Sequence, residues 1–581
     1  MIKNNSITNQ SRDNLLIILG SIFIGVIYLY RIKYLNSIVI INDEFGYWGI
    51  AAFLSGKKWS TLLSTTPYYS FGYSLLLVPL YLFNLEPSMM YQMAIIINVL
   101  LIIGSYGIAL LCSKELAEEC DFRIRWLICL TISFYTNNII QAQIAWTETL
   151  LYFLIWLLFY IFIRNTKCLS YRNLLAGIII SIYMYTVHQR TIGVLLVYLG
   201  LTFCNILINK KGYYKVLVGM IIVISLLLIQ IVFKNYFIDN LFSNNELVTM
   251  NNIQGQTGKV TNILTTSSGF VAFIKSIVGK FYYISVASLY IAPIGIFIGF
   301  INIIQEIKRT ISLKKIQYNT VIYVELFAIL SFLSLLTISA ISMYVNKGRL
   351  DLLIYGRYME VAVGPILLIG LLEFNKKKKV TNYILVLIGI VFIITFFVDQ
   401  GLIDSESSSF NSTCASVLYY FFKQTSEIPG LAFEITILTL IPLLLFILLK
   451  NKKIKYIAYS ILIIVWISLG SFSGPIEQQE YIVKTVNPIV DILKEEEESI
   501  EQIYFINSDT EITDSQTYIK YLQYFEQDYD IKETNRSELE EKRWEDGSYI
   551  ICDSKTEISP NMLKKFYIKE KTPILTLLCK R

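Results

Sequence analysis

Long apolar stretches, separated by short polar segments, dominate the sequence as far as residue 471. Most approach the length of about 20 residues that an α-helix needs to cross a bilayer. They predict thirteen transmembrane helices, near 14–31, 89–112, 126–139, 148–164, 173–188, 191–209, 216–234, 281–304, 319–344, 358–373, 380–398, 432–450 and 456–471. The first stretch has no small-residue cleavage site, so it is expected to remain as the first span.

Lysine and arginine are concentrated in every second segment between these spans. Six such segments together hold 21 basic residues: 114–125, 164–172, 210–215, 308–315, 376–379 and 450–455. Because basic loops stay in the cytoplasm, this alternation predicts a cytoplasmic N-terminus. An odd number of spans then places the C-terminal segment outside the cytoplasm, in a cell (plasma) membrane protein.

A second topology depends on the run from Tyr73 to Phe83. If this run crossed the membrane, every later loop would change sides. Eleven residues interrupted by Pro79 are too few for a span, and they favour an interfacial helix.

Composition supports the membrane interpretation and divides the chain. Hydrophobic residues make up 55% of the sequence and charged residues only 16%, whereas soluble domains have about 25% charged residues. Residues 475–581 hold 23 acidic and 14 basic residues, although the whole chain has a net charge of +6. We therefore expect a transmembrane body (1–474) and an aqueous α/β domain (475–581). The basic residues lie in short loops, which does not indicate nucleic-acid binding. The eight cysteines show no zinc-site spacing.

Short elements are predicted within the C-terminal segment. Ile503–Ile506 and Tyr549–Cys552 favour strands, and the aromatic residues between Tyr518 and Phe525 recur at helical spacing. Lys494 and the four glutamates after it are typical of a solvated helix face.

The first outer loop (42–88) opens with two acids, Asp43 and Glu44, followed by Phe45, Tyr47 and Trp48. This pattern predicts an amphipathic helix on the outer leaflet, with Asp43 as its N-cap and Gly56 at its C-terminal end. In one interpretation the acids only cap this helix. In the other they are functional, since acids at a membrane boundary are costly and usually have a role.

Further polar candidates fall on the same side of the membrane in this topology. Glu148 begins the fourth span, and His188 and Arg190 lie at the end of the fifth. Arg349 and Arg357 lie in the loop before the tenth. Each alone is compatible with a structural role, but together they predict one site with three acids and several cations.

These motifs resemble those of the GT-C glycosyltransferases, which are integral membrane enzymes. The likeness is to the branch of protein O-mannosyltransferases and aminoarabinose transferases. It rests on Asp43-Glu44 after the first span, the Thr66-Pro-Tyr-Tyr stretch, Glu148, and Arg357-Tyr358 followed by Pro365. The chain departs from the family pattern by having a single proline, Pro67, where the family has two, and by Glu148 where Asp is usual.

The resemblance implies a bacterial cell-envelope enzyme that transfers a hexose or pentose from a polyprenyl-phosphate carrier to a lipid, glycan or protein acceptor. Asp43 would be the general base, assisted by Glu44 and Glu148. Arg357, Arg349, Arg190 and His188 would contact the donor phosphate. Tyr47, Trp48, Tyr68 and Tyr358 would contact substrates.

A divalent cation, Mg²⁺ or Mn²⁺, is left open by the sequence. If one is bound, its oxygen ligands would be Asp43, Glu44 and Glu148. Two other functions also stay open: a metal-independent polysaccharide polymerase or ligase, in which Asp43 would be dispensable, and a flippase or transporter of lipid-linked glycans. A transporter is expected to have charges in mid-span and internal repeats, and the sequence shows neither clearly.

Overall fold

The computed structural model describes most of the chain. It leaves out residues 1, 210–212, 243–247, 249–252, 314–318, 344–349, 377–379, 404–413, 423–429, 449–454, 473, 507–513 and 536–543. The helices are α1 (Ile2–Leu29), α2 (Ile41–Leu54), α3 (Ser60–Leu63), α4 (Ser74–Tyr81), α5 (Pro87–Leu116), α6 (Phe122–Ser133), α7 (Thr136–Gln141), α8 (Thr147–Lys167), α9 (Tyr171–Val187), α10 (Ile192–Asn209), α11 (Tyr213–Leu241), α12 (Ile253–Thr265), α13 (Ser267–Ala287), α14 (Ile291–Leu313), α15 (Thr320–Ser342), α16 (Arg357–Glu360), α17 (Val363–Lys376), α18 (Val380–Ile403), α19 (Tyr419–Phe422), α20 (Leu431–Leu448), α21 (Lys455–Ser471), α22 (Gly474–Glu495), α23 (Asp514–Phe525) and α24 (Pro560–Lys565).

The chain is a multi-pass helical membrane protein, as its apolar pattern predicts. Within the described residues, ten helical segments are long and apolar enough to span a bilayer. An eleventh span results if the bent pair Asp351–Glu360 and Val363–Asn375 counts as one. The predicted number of thirteen is therefore not confirmed.

Three predicted spans have a different internal structure. The span at 126–139 is divided into α6 and α7, and the span at 358–373 follows an 82° bend. The single span predicted at 281–304 falls across two helices that are each long and apolar enough to span, Ser267–Ala287 and Ile291–Ser312. Leu289 and Tyr290, both with positive φ, lie at the break between them. Helix α13 before this break begins at Ser267, where the Thr266 hydroxyl caps it by accepting from the Gly269 N–H at 3.0 Å.

The C-terminal segment folds into an α/β unit, with the two predicted strands side by side. Its strands are β1 (Gln502–Ile506), β2 (Lys532–Thr534), β3 (Ser548–Asp553), β4 (Phe566–Lys571) and β5 (Leu575–Lys580). The sheet order is β2-β1-β3-β5-β4. β1 pairs in parallel with β2 and β3, and β5 is antiparallel to β3 and β4. Ile503, Phe505, Ile551 and Leu577 fill its core.

This unit packs directly on the first loop. Tyr524 of α23 lies edge-on against Trp48 of α2, and its hydroxyl donates to the Pro87 carbonyl at 2.8 Å. Trp59 Nε1 donates to the Gln527 carbonyl at 3.1 Å. The loop and the C-terminal segment therefore lie on the same side of the helical body.

Candidate functional site

Four charged side chains from four chain segments meet at the start of the first loop. They are Asp43 in the first turn of α2, Glu148 in the first turn of α8, Arg190 in the 3₁₀ turn Gln189–Thr191, and Arg357 at the start of α16. We call them the arginine cluster. Two acids face two bases, so the formal charges balance, as burial of ions requires.

Arg357 bridges the two acids of the cluster. Its Nε donates to Glu148 Oε1 at 2.5 Å, and its Nη1 donates to Asp43 Oδ2 at 2.5 Å. The guanidinium carbon lies 3.6 Å from the centroid of the Trp146 ring, a cation–π contact. A Cβ at Gly356, the preceding residue, would lie 2.2 Å from the Tyr283 ring, so only glycine permits this approach.

The guanidinium group of Arg190 has hydrogen-bond donors that no described residue uses. Its Nη2 donates to Glu148 Oε1 at 2.9 Å, whereas Nε and Nη1 have no hydrogen-bond partner among the described residues. Only 1% of its side chain is exposed, and the guanidinium lies over the Tyr358 ring at 4.3 Å. Buried donors of this kind are costly unless a ligand accepts from them.

The two acids of the cluster differ in solvent exposure. Glu148 is 2% exposed and is paired with both arginines. Asp43 is 15% exposed, is paired with Arg357 and also has a side-chain hydrogen bond with Tyr69. Asp43 is therefore the more solvent-accessible of the two carboxylates. Glu148 is placed to hold the two guanidinium groups in position.

Glu44 has a different environment from its neighbour Asp43. One of its oxygens accepts from the backbone N–H groups of Val39 (2.6 Å) and Ile40 (2.7 Å). The other accepts from the Tyr91 hydroxyl (2.8 Å) and the Ala145 N–H (3.0 Å). Burial raises the pKa of Glu44 to about 7, and these donors oppose the shift. We call Glu44 with these four donors the Glu44 node, and it joins α2 to the segment before Glu148.

Helix α2 itself is confirmed, but its predicted setting is wrong. It is buried on nearly all sides instead of lying on the leaflet as an amphipathic helix, because α4 and α23 cover it. The residue at its N-cap is Ile40, and Asp43 lies in the first turn, paired with Arg357. Gly56 follows its C-terminal end with a φ of +88°, as predicted.

The predicted aromatic contacts are divided between the site and the core. Tyr358 lies against Arg190 and the His188 ring, within the cluster. Tyr47 packs on Tyr73 near the cluster, while Tyr68 packs on Phe242. Trp48 is fully buried between Tyr81, Tyr91 and Tyr524, so it supports α2 and does not face the cluster.

The remaining predicted residues have mixed outcomes. His188 Nδ1 accepts from the Arg190 N–H at 3.3 Å, which makes it a residue that positions Arg190. Arg349 lies outside the described residues. Trp146 was missed by sequence reasoning, although its position two residues before Glu148 is a signal for it.

The three carboxylates do not form a metal ligand set. Both oxygens of Glu44 are turned toward hydrogen-bond donors, and Arg357 lies between the other two acids. Among the described residues, no group of three or more His, Cys, Asp or Glu side chains has an arrangement that could hold a metal ion.

A lysine of the C-terminal unit also reaches the first loop. Lys520 Nζ donates to Asn42 Oδ1 at 2.8 Å, next to Asp43, and to the Thr65 carbonyl at 3.4 Å. Burial lowers the pKa of Lys520 to about 8, and the charge of Glu533 opposes this. The C-terminal unit thus fixes both sides of the loop that presents Asp43.

No protein-family model and no curated protein matches this sequence. Among solved structures, it is similar to ArnT from Cupriavidus metallidurans bound to undecaprenyl phosphate, with a TM-score of 0.53, 11% identity and 97% of each chain covered. The chain has the GT-C fold. The apo structure of the same ArnT matches over 97% of each chain, with 11% identity and a TM-score of 0.49. At this level of identity the similarity establishes the GT-C fold, and the role of the cluster has to be argued from its own geometry.

Proposed function

We propose that this GT-C protein is a glycosyltransferase that moves a hexose or pentose from a polyprenyl-phosphate carrier to an acceptor hydroxyl. The observation on which this rests is the arginine cluster. An accessible carboxylate there adjoins two buried arginines, one of them with unused donors. A transfer between a hydroxyl and a phosphate leaving group requires this combination of a base and fixed cations.

Asp43 is the general base in this proposal. The acceptor oxygen attacks the anomeric carbon while its proton passes to Asp43. The bond between that carbon and the phosphate oxygen breaks, and its electron pair leaves with the polyprenyl phosphate. Charge therefore develops on the phosphate as the bond breaks.

The arginines receive this developing charge. Arg190 contacts the phosphate through Nε and Nη1, the two donors without partners in the described structure. Arg357 shifts part of its attraction from Asp43 to the phosphate, which releases Asp43 to accept the proton. Glu148 keeps both guanidinium groups in place during this exchange, since it pairs with both.

The test is the release of carrier phosphate from a panel of polyprenyl-phosphate sugars by the purified protein in lipid nanodiscs. We expect release with at least one donor when lipid, glycan and protein acceptors are supplied in turn. An absence of release with every donor and acceptor would contradict the proposal. Normal release by Asp43→Asn would instead favour the polymerase or ligase alternative.

We also propose that the cluster and the C-terminal unit lie outside the cytoplasm, with the N-terminus inside. The basic segments of the sequence support this orientation. Protease added to intact spheroplasts should remove the segment after about residue 475. Digestion only after lysis would reverse the orientation.

A further inference from the structure

A polar cavity lies between the C-terminal unit and the first loop, apart from the arginine cluster. Its volume is about 500 Å³. Lys57, Tyr81 and Glu86 line it from the first loop, and Lys494, Phe525 and Glu526 line it from the C-terminal unit. None of the four residues of the cluster lines it.

Glu526 is the most unusual group in this cavity. The residue is 5% exposed, and its Oε1 has no hydrogen-bond partner among the described residues. Burial raises the pKa of Glu526 to about 7, the Lys494 charge opposes this, and Glu497 and Asp528 add to it. A buried acceptor at a cavity wall costs free energy unless a ligand donates to it.

The other lining groups indicate the kind of ligand. Four acids (Glu86, Glu497, Glu526 and Asp528) and two lysines (Lys57 and Lys494) line the cavity, so both acceptors and donors are present. The Lys494 ammonium lies 5.5 Å from the Phe525 ring centroid, and Lys57 pairs with Asp528. A ligand that is neutral and rich in hydroxyl groups can both donate to the acids and accept from the lysines. Aromatic faces suit its C–H groups.

The cavity also connects to the helix that presents Asp43. Tyr81 lines the cavity, and its ring packs edge-on against Trp48. Trp48 lies five residues after Asp43 on α2, which is about 7.5 Å along the helix axis. A ligand in the cavity therefore lies beside α2 but away from the carboxylate of Asp43.

We propose that this cavity binds a saccharide portion of the acceptor, remote from the hydroxyl that receives the sugar. Only the identification of the ligand as the acceptor rests on the proposed function. Saccharide binding as such does not require that the protein transfers a sugar. Binding energy from a remote part of a substrate favours reaction at the distant centre.

The test measures binding to the full-length protein in nanodiscs without any donor. The probes are maltotriose, chitotriose and mannotriose, with spermidine as a cationic comparison, detected by saturation-transfer NMR and titrated to about 10 mM, in the range of weak affinities. We expect at least one trisaccharide to bind. Glu526→Gln should weaken that binding about tenfold, because a charged hydrogen bond is lost.

Two further variants separate recognition from folding. Lys494→Met changes an exposed lining residue and should weaken binding about threefold, since one donor is lost. Glu498→Gln changes a nearby exposed acid that does not line the cavity, and it should bind as the unmodified protein does.

Three results would overturn the inference: binding by none of the trisaccharides, equal binding by all variants, or binding of spermidine alone. Binding of spermidine alone would show that the cavity binds amines instead of saccharides. Carrier-phosphate release without trisaccharide binding would refute the saccharide site and leave the proposed function standing. Trisaccharide binding without carrier-phosphate release would support the saccharide site and contradict the proposed function.

Discussion

The arginine cluster and the Glu44 node begin at successive residues of one helix, yet their partners are opposite in kind. Asp43 pairs with the side chain of Arg357, and Glu148 with both arginines. Glu44 accepts mainly from backbone N–H groups, those of Val39, Ile40 and Ala145. The first region holds its acids against side chains that can exchange partners, while the second holds one carboxyl group against the fixed backbone.

This difference indicates which acid is available for chemistry. Backbone donors cannot leave Glu44 without unfolding the turn before α2, whereas a guanidinium group can turn from a carboxylate to a phosphate. Asp43 is also 15% exposed, and Glu44 is fully buried. The two acids are neighbours in the sequence, and the structure places them in different surroundings.

Substitution of Arg357 should have the largest effect on the cluster. Arg357→Ala leaves Asp43 without its salt-bridge partner and removes one of the two cations that hold Glu148, so we expect carrier-phosphate release to fall by about 10³ or more. Arg357→Lys keeps the charge but loses the fork geometry, and it should retain a measurable part of the rate. Full and equal activity of both variants would show that Arg357 takes no part in the reaction.

Glu44→Gln should affect stability and leave the chemistry nearly intact. The amide nitrogen would face N–H donors that it cannot satisfy, at a cost of about 1–3 kcal/mol in unfolding free energy. Thermal unfolding in nanodiscs measures this loss. Turnover per folded molecule should stay within about threefold of the unmodified value, since no direct contact with substrate is lost. A hundredfold loss of turnover at unchanged stability would place Glu44 in the reaction.

Trp146→Leu tests the contact under Arg357. It removes a cation–π interaction of about 0.5–2 kcal/mol while keeping an apolar side chain. We expect transfer to fall about tenfold because Arg357 loses its fixed orientation, with little change in donor binding. Trp146→Phe is the matched control and should recover most of the rate.

The smallest expected effect is a pH dependence of the free energy of unfolding, which arises from Lys520. Its pKa is about 8 in the folded protein, below the ordinary value of 10.5. The unfolded chain therefore binds more protons between these values, and stability rises with pH across that window. The gain from pH 8 to pH 10 should be about 1–2 kcal/mol and should be missing in Lys520→Met. The same gain in both proteins would assign it to other groups.

Local sequence patterns predicted the helical body, the position of α2 and the C-terminal strands. The internal breaks were not predictable in this way. The positive φ angles at Leu289 and Tyr290 occur at residues that are neither glycine nor proline, and Pro293 follows only in the first turn of the next helix. The cover over α2 also depends on contacts between residues more than 450 positions apart, such as that of Trp48 with Tyr524.

The candidate site was partly predictable for a similar reason. Charged residues at the ends of apolar runs identified Asp43, Glu148, Arg190 and Arg357 as a group. Their pairing was not predictable, because nothing in the sequence distinguishes the partner of Asp43 from that of Glu44. The hydrogen bonds of Glu44 join it to residues up to 101 positions away.

The most direct test of the account is the single-turnover release of carrier phosphate by Asp43→Asn. The variant keeps the size of the side chain and removes its capacity to take a proton, and Ile40 remains the N-cap of α2. We predict normal folding and donor binding, with release slowed by about 10² to 10⁴, the usual contribution of a general base. A well-folded Asp43→Asn protein that releases carrier phosphate at a near-normal rate would contradict the role of Asp43.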